Sequence, residues 1–380
     1  MPLLFIVVNV DWFFLSHRKE IALCARKAGY NVTIVTKDTG KKKEIEALGL
    51  KVIDLPMSRS GQNVMEELHT CWFLYWLYHR EKPDVAHHVG LKTIFWGTLA
   101  AKLASVRGVV NAVSGLGIFF SEENQSLLSK ILPKVLRFSH HRDRLTVIFQ
   151  NDEDKSLFLN NRIIREDQAA MIKGSGVDLQ QFCYSPEPEE GKIKVLLTAR
   201  MIVEKGIFVL TDAALKLKEQ YKGKVQFLLC GGLDDNPKAI REEELQAVCD
   251  GEYIQWLGYR TDVLNLLKDC HIVAFPSYYK EGLPKSLIEA TAVGRPIVTT
   301  NSIGCKETVV DGYNGYLIPV KDSDTLADRL KRLIEDKALR QEMGKNSRRL
   351  AERDFSIENV VRRHLELYED LSGVEISGSK

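Results

Sequence analysis

The sequence contains no Cys-x-x-Cys pair. Its seven cysteines (Cys24, Cys71, Cys183, Cys230, Cys249, Cys270 and Cys305) are odd in number, and the closest two stand nineteen positions apart. This spacing excludes a zinc knuckle and a disulfide framework, and the cysteines read as small buried hydrophobes in a reducing compartment. Long apolar runs are also missing. The stretch from Cys71 to Tyr78 holds eight residues, against about 20 for a membrane-spanning helix. The apolar start, Met1 to Val8, has no basic segment before it and no small-residue cleavage site after it, so it reads as a strand and not as a signal peptide. Charge of one sign is absent too: 53 Lys and Arg face 51 Asp and Glu, a formal +2. Binding of duplex nucleic acid is therefore not expected. Internal repeats and low-complexity tracts are lacking. With 44% apolar residues over 380 positions, the chain is long enough for two or three ordinary domain cores and is not disordered.

Short β-branched runs alternate with stretches of helical period. Strands are expected at 3–8, 31–36, 51–55, 84–89, 108–113, 145–150 and 169–173, with helices at about 16–28, 62–81, 91–106 and 152–160. Such alternation marks a parallel sheet covered on both faces. Ser185-Pro186-Glu187-Pro188-Glu189-Glu190-Gly191 reads as a linker. After it the pattern restarts at Ile193 to Thr198 and recurs at 224–230, 271–275 and 296–300. The expected fold is α/β with two doubly wound, Rossmann-like domains: 1–178, a linker at 179–192, 193–355, and a C-terminal helix and tail at 356–380. Divided at residue 180, the charges come to +5 and −3, so the two lobes suit different partners.

The chemistry concentrates in the second half. Glu281 and Glu289 stand eight positions apart around Gly282-Leu283-Pro284. Pro284 suits the first turn of a helix, and Gly282 lets backbone approach a ligand closely. Glu281 then lies in a loop beyond a strand and Glu289 inside the following helix, roughly 8 to 12 Å away along its axis. The exposed amides between them favour an anion. A ligand with hydroxyls at both ends and phosphate in the middle, such as a nucleotide diphosphate sugar, matches this arrangement. Arg200 and Lys205 follow the first strand of the second domain, where ligands of doubly wound sheets bind, and offer a planar fork and a compact charge to phosphate oxygens. Two other patterns carry no site. Asp152-Glu153-Asp154 has metal-ligand spacing but follows Asn151, and reads as a capped, acidic first turn. Gly231-Gly232 is not the dinucleotide fingerprint.

Glu281-x7-Glu289, the Arg200/Lys205 pair, Trp256-Leu257-Gly258-Tyr259-Arg260 and Gly294-Arg295-Pro296-Ile297-Val298 resemble the donor domain of the retaining family-4 glycosyltransferases of GT-B architecture. Gly174-Ser175-Gly176-Val177-Asp178 is similar to that family's crossing into its second domain, and Asp311-Gly312-Tyr313-Asn314-Gly315 to its closing strand region. The resemblance implies two domains facing a cleft, with a C-terminal helix crossing back to the first. It implies that Glu289 holds the ribose, Arg200 and Lys205 the diphosphate, and Glu281 with the amides of Gly282 and Leu283 the transferred sugar, while Arg260 approaches the base. No metal and no cofactor are expected beyond the nucleotide sugar, whose leaving-group charge the basic pair and the helix start would stabilise.

In the first domain, Ser16 is expected to cap a helix whose start presents His17 and Arg18 to an acceptor phosphate. Many members of the family carry a His in the stretch Val109 to Gly117; here Ser114 stands in its place, beside Gly115. His17 and Ser114 are thus the expected acceptor-side catalytic residues, with Arg18 and Gly115 as acceptor contacts. The Asp11-Trp12-Phe13-Phe14 start, His87-His88 and Ser114-Gly115-Leu116-Gly117 look most like bacterial transferases that extend lipid-diphosphate-linked sugars for capsule, O-antigen or protein glycosylation. Apolar positions 127, 128, 131, 132, 135 and 136, flanked by Lys130, Lys134 and Arg137, suit a helix lying on an anionic membrane surface at the cytoplasmic face or one packed on its own sheet, and Pro133 is expected to interrupt it in either case. The competing readings are a transferase for a small soluble acceptor and a non-enzymatic two-domain sugar-binding protein.

Overall fold

The computed structural model describes residues 1–57, 64–115, 127–234, 239–279 and 282–374. The chain divides into two compact units, Met1–Ser175 with Ile357–Lys380, and Gly176–Ser356.

The first unit is built on seven parallel strands: β1 (Leu3–Val10), β2 (Asn31–Lys37), β3 (Lys51–Asp54), β4 (Val85–Val89), β5 (Gly108–Ala112), β6 (Leu145–Phe149) and β7 (Ala169–Met171). They lie in the order β3-β2-β1-β4-β5-β6-β7, with Ile6 aligned to Ile34 on one side and to His87 on the other. The period of two along β1 sends Phe5 and Val7 into one core and Leu4, Ile6 and Val8 into the other, as a sheet covered on both faces requires. The C-terminal helix Ile357–Ser372 closes the second of these cores with Val360, Val361, Tyr368 and Leu371.

The second unit has six parallel strands: β8 (Ile193–Thr198), β9 (Val225–Cys230), β10 (Ile254–Trp256), β11 (Ile272–Phe275), β12 (Ile297–Thr300) and β13 (Gly315–Ile318), in the order β10-β9-β8-β11-β12-β13. The expected strands omit the two at the sheet edges, β10 (Ile-Gln-Trp) and β13 (Gly-Tyr-Leu-Ile), each of which has a single β-branched residue. In both sheets the strand order reverses once, between β1 and β4 and between β8 and β11. Loops leaving the carboxyl ends of strands flanking such a reversal run in opposite directions and leave a crevice.

Several expectations are corrected. The stretch expected as a linker is packed into the second unit. Glu187 makes a two-pronged ion pair with Arg340 at 2.8 and 3.3 Å, both side chains 5% exposed. Fully buried Arg295 donates to the carbonyls of Leu267, Lys268 and Pro186. With partners this deeply buried, the prolines stiffen a fixed strap. The unit boundary accordingly falls after Ser175. The helix expected at 16–28 is two, Asp11–His17 and Lys19–Lys27, broken at Arg18, so Ser16 sits in the last turn of the first helix and caps nothing. Helix Leu127–His140 runs through Pro133 without ending; burial of Leu136, Ser139 and His140 in the following turn holds its second half on the sheet, outweighing the missing amide. Its stripe residues 127–132 have side chains outside the described residues, while Lys134 and Arg137 are exposed. Asn151 caps Asp152–Asn160 by accepting from the Asp154 amide at 2.7 Å.

Four imidazoles are buried in the first unit. His88 donates from Nδ1 to Asn111 at 2.8 Å and accepts from the Tyr78 hydroxyl at 2.9 Å. The Asn111 amide donates to His140 Nε2, whose Nδ1 donates to the Leu136 carbonyl. Gly97 makes room for this network, since a Cβ there would lie 2.3 Å from the His88 ring. On the opposite face, His87 meets the Tyr368 hydroxyl at 2.7 Å and His364 donates to the Val360 carbonyl. Each arrangement suits a neutral ring. Burial pushes His88 and His140 down to about 4 and His364 to about 3, and holds His87 well below the usual range.

Below the ordinary imidazole pKa of 6.5 the unfolded chain therefore binds protons that the folded unit refuses. The first unit is expected to lose stability steadily as pH falls from about 6.5 towards 4, whereas the second, with one buried histidine of lowered pKa, His271, loses less. Hydrogen exchange followed by mass spectrometry at pH 7.5 and 5.0 (pH values chosen on either side of roughly 6.5) checks this; equal loss of protection in both units is the opposing result.

Candidate active site

At the reversal of the second sheet, three loops are bonded into one platform. The Ala199 and Met201 amides donate to Cys230 and Gly232 at 3.0 Å, and the Gly231 amide donates to Gly258 at 2.9 Å. These bonds tie the segments after β8, β9 and β10 to one another. From β11, on the other side of the reversal, the Tyr278 amide and the Ser277 hydroxyl donate to the Glu204 carbonyl. Gly206 is left-handed (φ 78°), and a Cβ there would lie 2.1 Å from the Pro276 carbonyl oxygen, so only glycine allows this approach.

The close approach brings Lys205 across to β11. Its side chain is buried, and the ammonium lies 5.2 Å from the rings of both Phe275 and Tyr279, a desolvated position in which a compact cation is held firmly. Arg200, half exposed, pairs with Asp234 at 2.6 Å. Asp234 follows the Gly231-Gly232 turn and was not singled out by the sequence; its carboxylate fixes the guanidinium on the platform. The structure thus places both members of the basic pair in the loop leaving β8.

Helix Lys285–Val293 starts beyond β11 with Pro284 at its N-cap and no side chain capping it. The positive end of a helix favours an anion. Gly282 and Leu283, both buried, lead into it. Glu289 lies in its second turn, 3.8 Å from Lys285 and mostly buried; burial raises its pKa, with Lys285 opposing. A carboxyl in that state suits neutral hydroxyl donors. Glu281 lies outside the described residues.

Other expected residues fare differently. Arg260 follows β10, at the sheet edge, and its fork is filled by Asp262 at 2.6 and 2.7 Å. Arg18 does not face an acceptor. It is buried beneath the C-terminal helix, near Tyr368, His87 and His364, and burial lowers its pKa to about 10. The break between two helices turns its side chain inward, which a single helix starting near Ser16 would not have done. His17 is half-buried, stacked on Phe13 at 4.1 Å with its Nδ1 on the Ser16 hydroxyl. Ser114 and Gly115 follow β5, and the Ser114 hydroxyl stands 3.8 Å from where a Gly90 Cβ would be, so the segments after β4 and β5 meet. His87 and His88 are fully buried and present nothing to a ligand.

The sequence also passed over Asp11. Burial raises the pKa of its carboxyl, but the hydroxyl and amide of Thr39 and the amides of Lys41 and Trp12 more than offset this and hold it below the ordinary value. It accepts from the Lys41 amide at 2.9 Å and the Trp12 amide at 2.7 Å. The loop after β2 is thereby stapled to the end of β1. An acidic residue directly after an apolar strand was the available signal.

Residues 184–350 match the family described as glycosyl transferases group 1, and residues 4–151 match glycosyl transferase 4-like. Among curated proteins, the chain is 29% identical to the N,N'-diacetylbacillosaminyl-diphospho-undecaprenol alpha-1,3-N-acetylgalactosaminyltransferase of Campylobacter jejuni, over 94% of this chain and 97% of that one. It is 26% identical to the UDP-Gal:alpha-D-GlcNAc-diphosphoundecaprenol alpha-1,3-galactosyltransferase of Escherichia coli, over 90% and 89%. Among solved structures, a glycosyltransferase from Rickettsia africae superposes with a TM-score of 0.78 at 19% identity, covering 97% of this chain and 98% of that one. The Anabaena protein HepE in complex with UDP gives 0.77 at 20% identity, covering 98% and 100%. With one family match on each unit, the chain belongs to the glycosyltransferases of the group 1 and 4-like families and has the GT-B architecture of two Rossmann-like domains.

Proposed function

We propose that the protein is a retaining glycosyltransferase that moves a hexose or N-acetylhexosamine from a UDP-sugar to a lipid-diphosphate-linked saccharide, without a metal, in cell-surface polysaccharide or glycan assembly. The observation that carries the donor side is the meeting of Lys205, Arg200 and an uncapped helix start at the strand reversal of the second sheet. Two cations and the positive end of a helix at one strand reversal suit a diphosphate and the charge that grows on it as the sugar departs.

In this reading Glu289 holds the ribose hydroxyls. Glu281, with the amides of Gly282 and Leu283, holds the transferred sugar. Arg260 contacts the base only by exchanging Asp262 for it. His17, Ser114 and Gly115, beyond the carboxyl ends of β1 and β5, serve the acceptor. The acceptor class is supported by the relatives' names, both of which specify a sugar on diphosphoundecaprenol and an alpha-1,3 product. UDP-hexoses carry their sugar in α linkage, so an α product means retention. In this reading the protein works on such acceptors at the cytoplasmic face of the membrane as a peripheral enzyme; among the described residues no helix is long and apolar enough to cross a membrane.

Three outcomes test this. Lys205→Ala is expected to weaken UDP binding roughly tenfold to a hundredfold, a charge-assisted contact being worth about 1.5 to 3 kcal/mol; a calorimetric titration indistinguishable from wild type refutes the diphosphate assignment. Glu281→Ala is expected to lower turnover far more than UDP affinity, and a parallel loss of both removes it from the sugar. Thermal stabilisation by UDP-sugars is expected to survive EDTA; its abolition by chelation would show that the leaving group needs a metal.

A further inference from the structure

Helix Val64–Glu81 is apolar on two faces. Its inner stripe, Cys71, Leu74, Leu77 and Tyr78, is buried in the first unit's core. Its outer stripe carries Met65, Leu68, Trp72 and Trp76 at helical spacing, with Trp72 59% and Trp76 49% exposed. Ordinary surface helices are polar on that side. The outer rings form one connected cluster: Trp72 meets Tyr75 at 5.8 Å and Trp76 at 5.5 Å, and His79 lies 6.0 Å from Tyr75 and 5.8 Å from Trp76. Beside them, against Ile53 of edge strand β3, runs an open groove of about 610 Å³ lined by Trp72, Trp76, His69, His79 and Arg80 among others.

We infer that this aromatic face is the surface by which the protein sits on an anionic phospholipid bilayer. This rests on the proposed lipid-linked acceptor and names the face that meets the membrane. Tryptophan and tyrosine rings with an apolar body and a polar edge collect at the headgroup level of bilayers. Among the described residues neither indole N–H has a protein acceptor, whereas that of Trp96, on the neighbouring helix, is taken by Glu67. Charge points the same way. Among the described residues Arg80 lines the groove beside His69 and His79 and no carboxylate does; the nearby Glu81 is shared by Arg80 and Lys51, and Glu67 by Lys92 and Trp96. A second copy of the chain docked here about a two-fold axis would bring Arg80 against itself, with Glu81 already shared between Arg80 and Lys51. An anionic lipid surface supplies the partners. Residues 1–180 carry +5 overall, in keeping with that choice.

The test compares the full chain with a Trp72→Ser/Trp76→Ser variant, after thermal unfolding shows the two to be equally stable. Co-sedimentation with phosphatidylglycerol–phosphatidylethanolamine vesicles is expected to fall about tenfold or more in the variant, and quenching of tryptophan fluorescence by bromine-labelled lipid in the same vesicles is expected to fall with it. Equal partitioning of both proteins overturns the inference. So does a wild-type protein that ignores the vesicles but dimerises in light scattering through these residues. Transfer to a short-chain, water-soluble diphosphate acceptor is expected to be the same for both proteins. Its selective loss in the variant would place the tryptophans in the reaction site and overturn the assignment, whereas absence of transfer in both counts against the transferase reading and leaves the vesicle result standing.

Discussion

Parallel strands cannot be joined by a tight turn, and this governs the molecule. Each strand of both sheets is reached by a crossover, so every loop at one end of a sheet is a strand-to-helix connection. Where the order reverses, at β1/β4 and β8/β11, successive connections diverge and backbone amides face an opening. Lys205, Arg200 and the start of helix Lys285–Val293 are functional candidates because this constraint gathers them. The basic pair and the helix start come from positions some eighty residues apart in the chain, and local sequence alone would leave them as two unrelated segments.

Around that frame, buried polar groups decide which segments are rigid. An unpaired charge in the interior costs several kcal/mol, and removing one partner of a buried ion pair costs about 3 to 5 kcal/mol. Glu187 and Arg340 satisfy each other, Arg295 is spent on backbone carbonyls, and a segment with a linker's composition becomes a strap within the second unit. The first unit solves the same problem with neutral imidazoles, three of them (His88, His140 and His364) held in one tautomer by a carbonyl oxygen on Nδ1 and His87 paired with the Tyr368 hydroxyl. Asp11 does it with amides from the loop after β2 and from the first turn of its own helix. The aromatic face of helix Val64–Glu81 is the reverse case, apolar area left facing water that needs an outside partner.

Much of the architecture was legible in the chain. The runs at 3–8, 31–36 and 193–198 lie within β1, β2 and β8, because a strand buried on both faces must be apolar throughout and its helix must be periodic. Asn151 and its acidic first turn were readable for the same local reason: an N-cap bonds within three residues. Strands β10 and β13, with one β-branched residue each, were not legible, and Pro133 marked a break that tertiary packing overrode. For the site, the glutamate pair, Arg200 and Lys205 could be singled out from spacing after strands, whereas Asp234, which fixes Arg200, could not, because it arrives from a different loop.

The sequence by itself thus determined the strands other than β10 and β13, the two-unit α/β class, the basic pair and the family to which they belong, since these depend on short-range pattern and residue chemistry. Only the tertiary structure decided where the long polar side chains point. Arg18 was turned inward by a helix break, Arg260 was taken by Asp262, and Lys205 was carried over to β11 by a left-handed glycine. The physical reason is that a side chain several bonds long can reach either solvent or interior, and which it takes depends on the partners that the folded chain, near or far in sequence, brings to it.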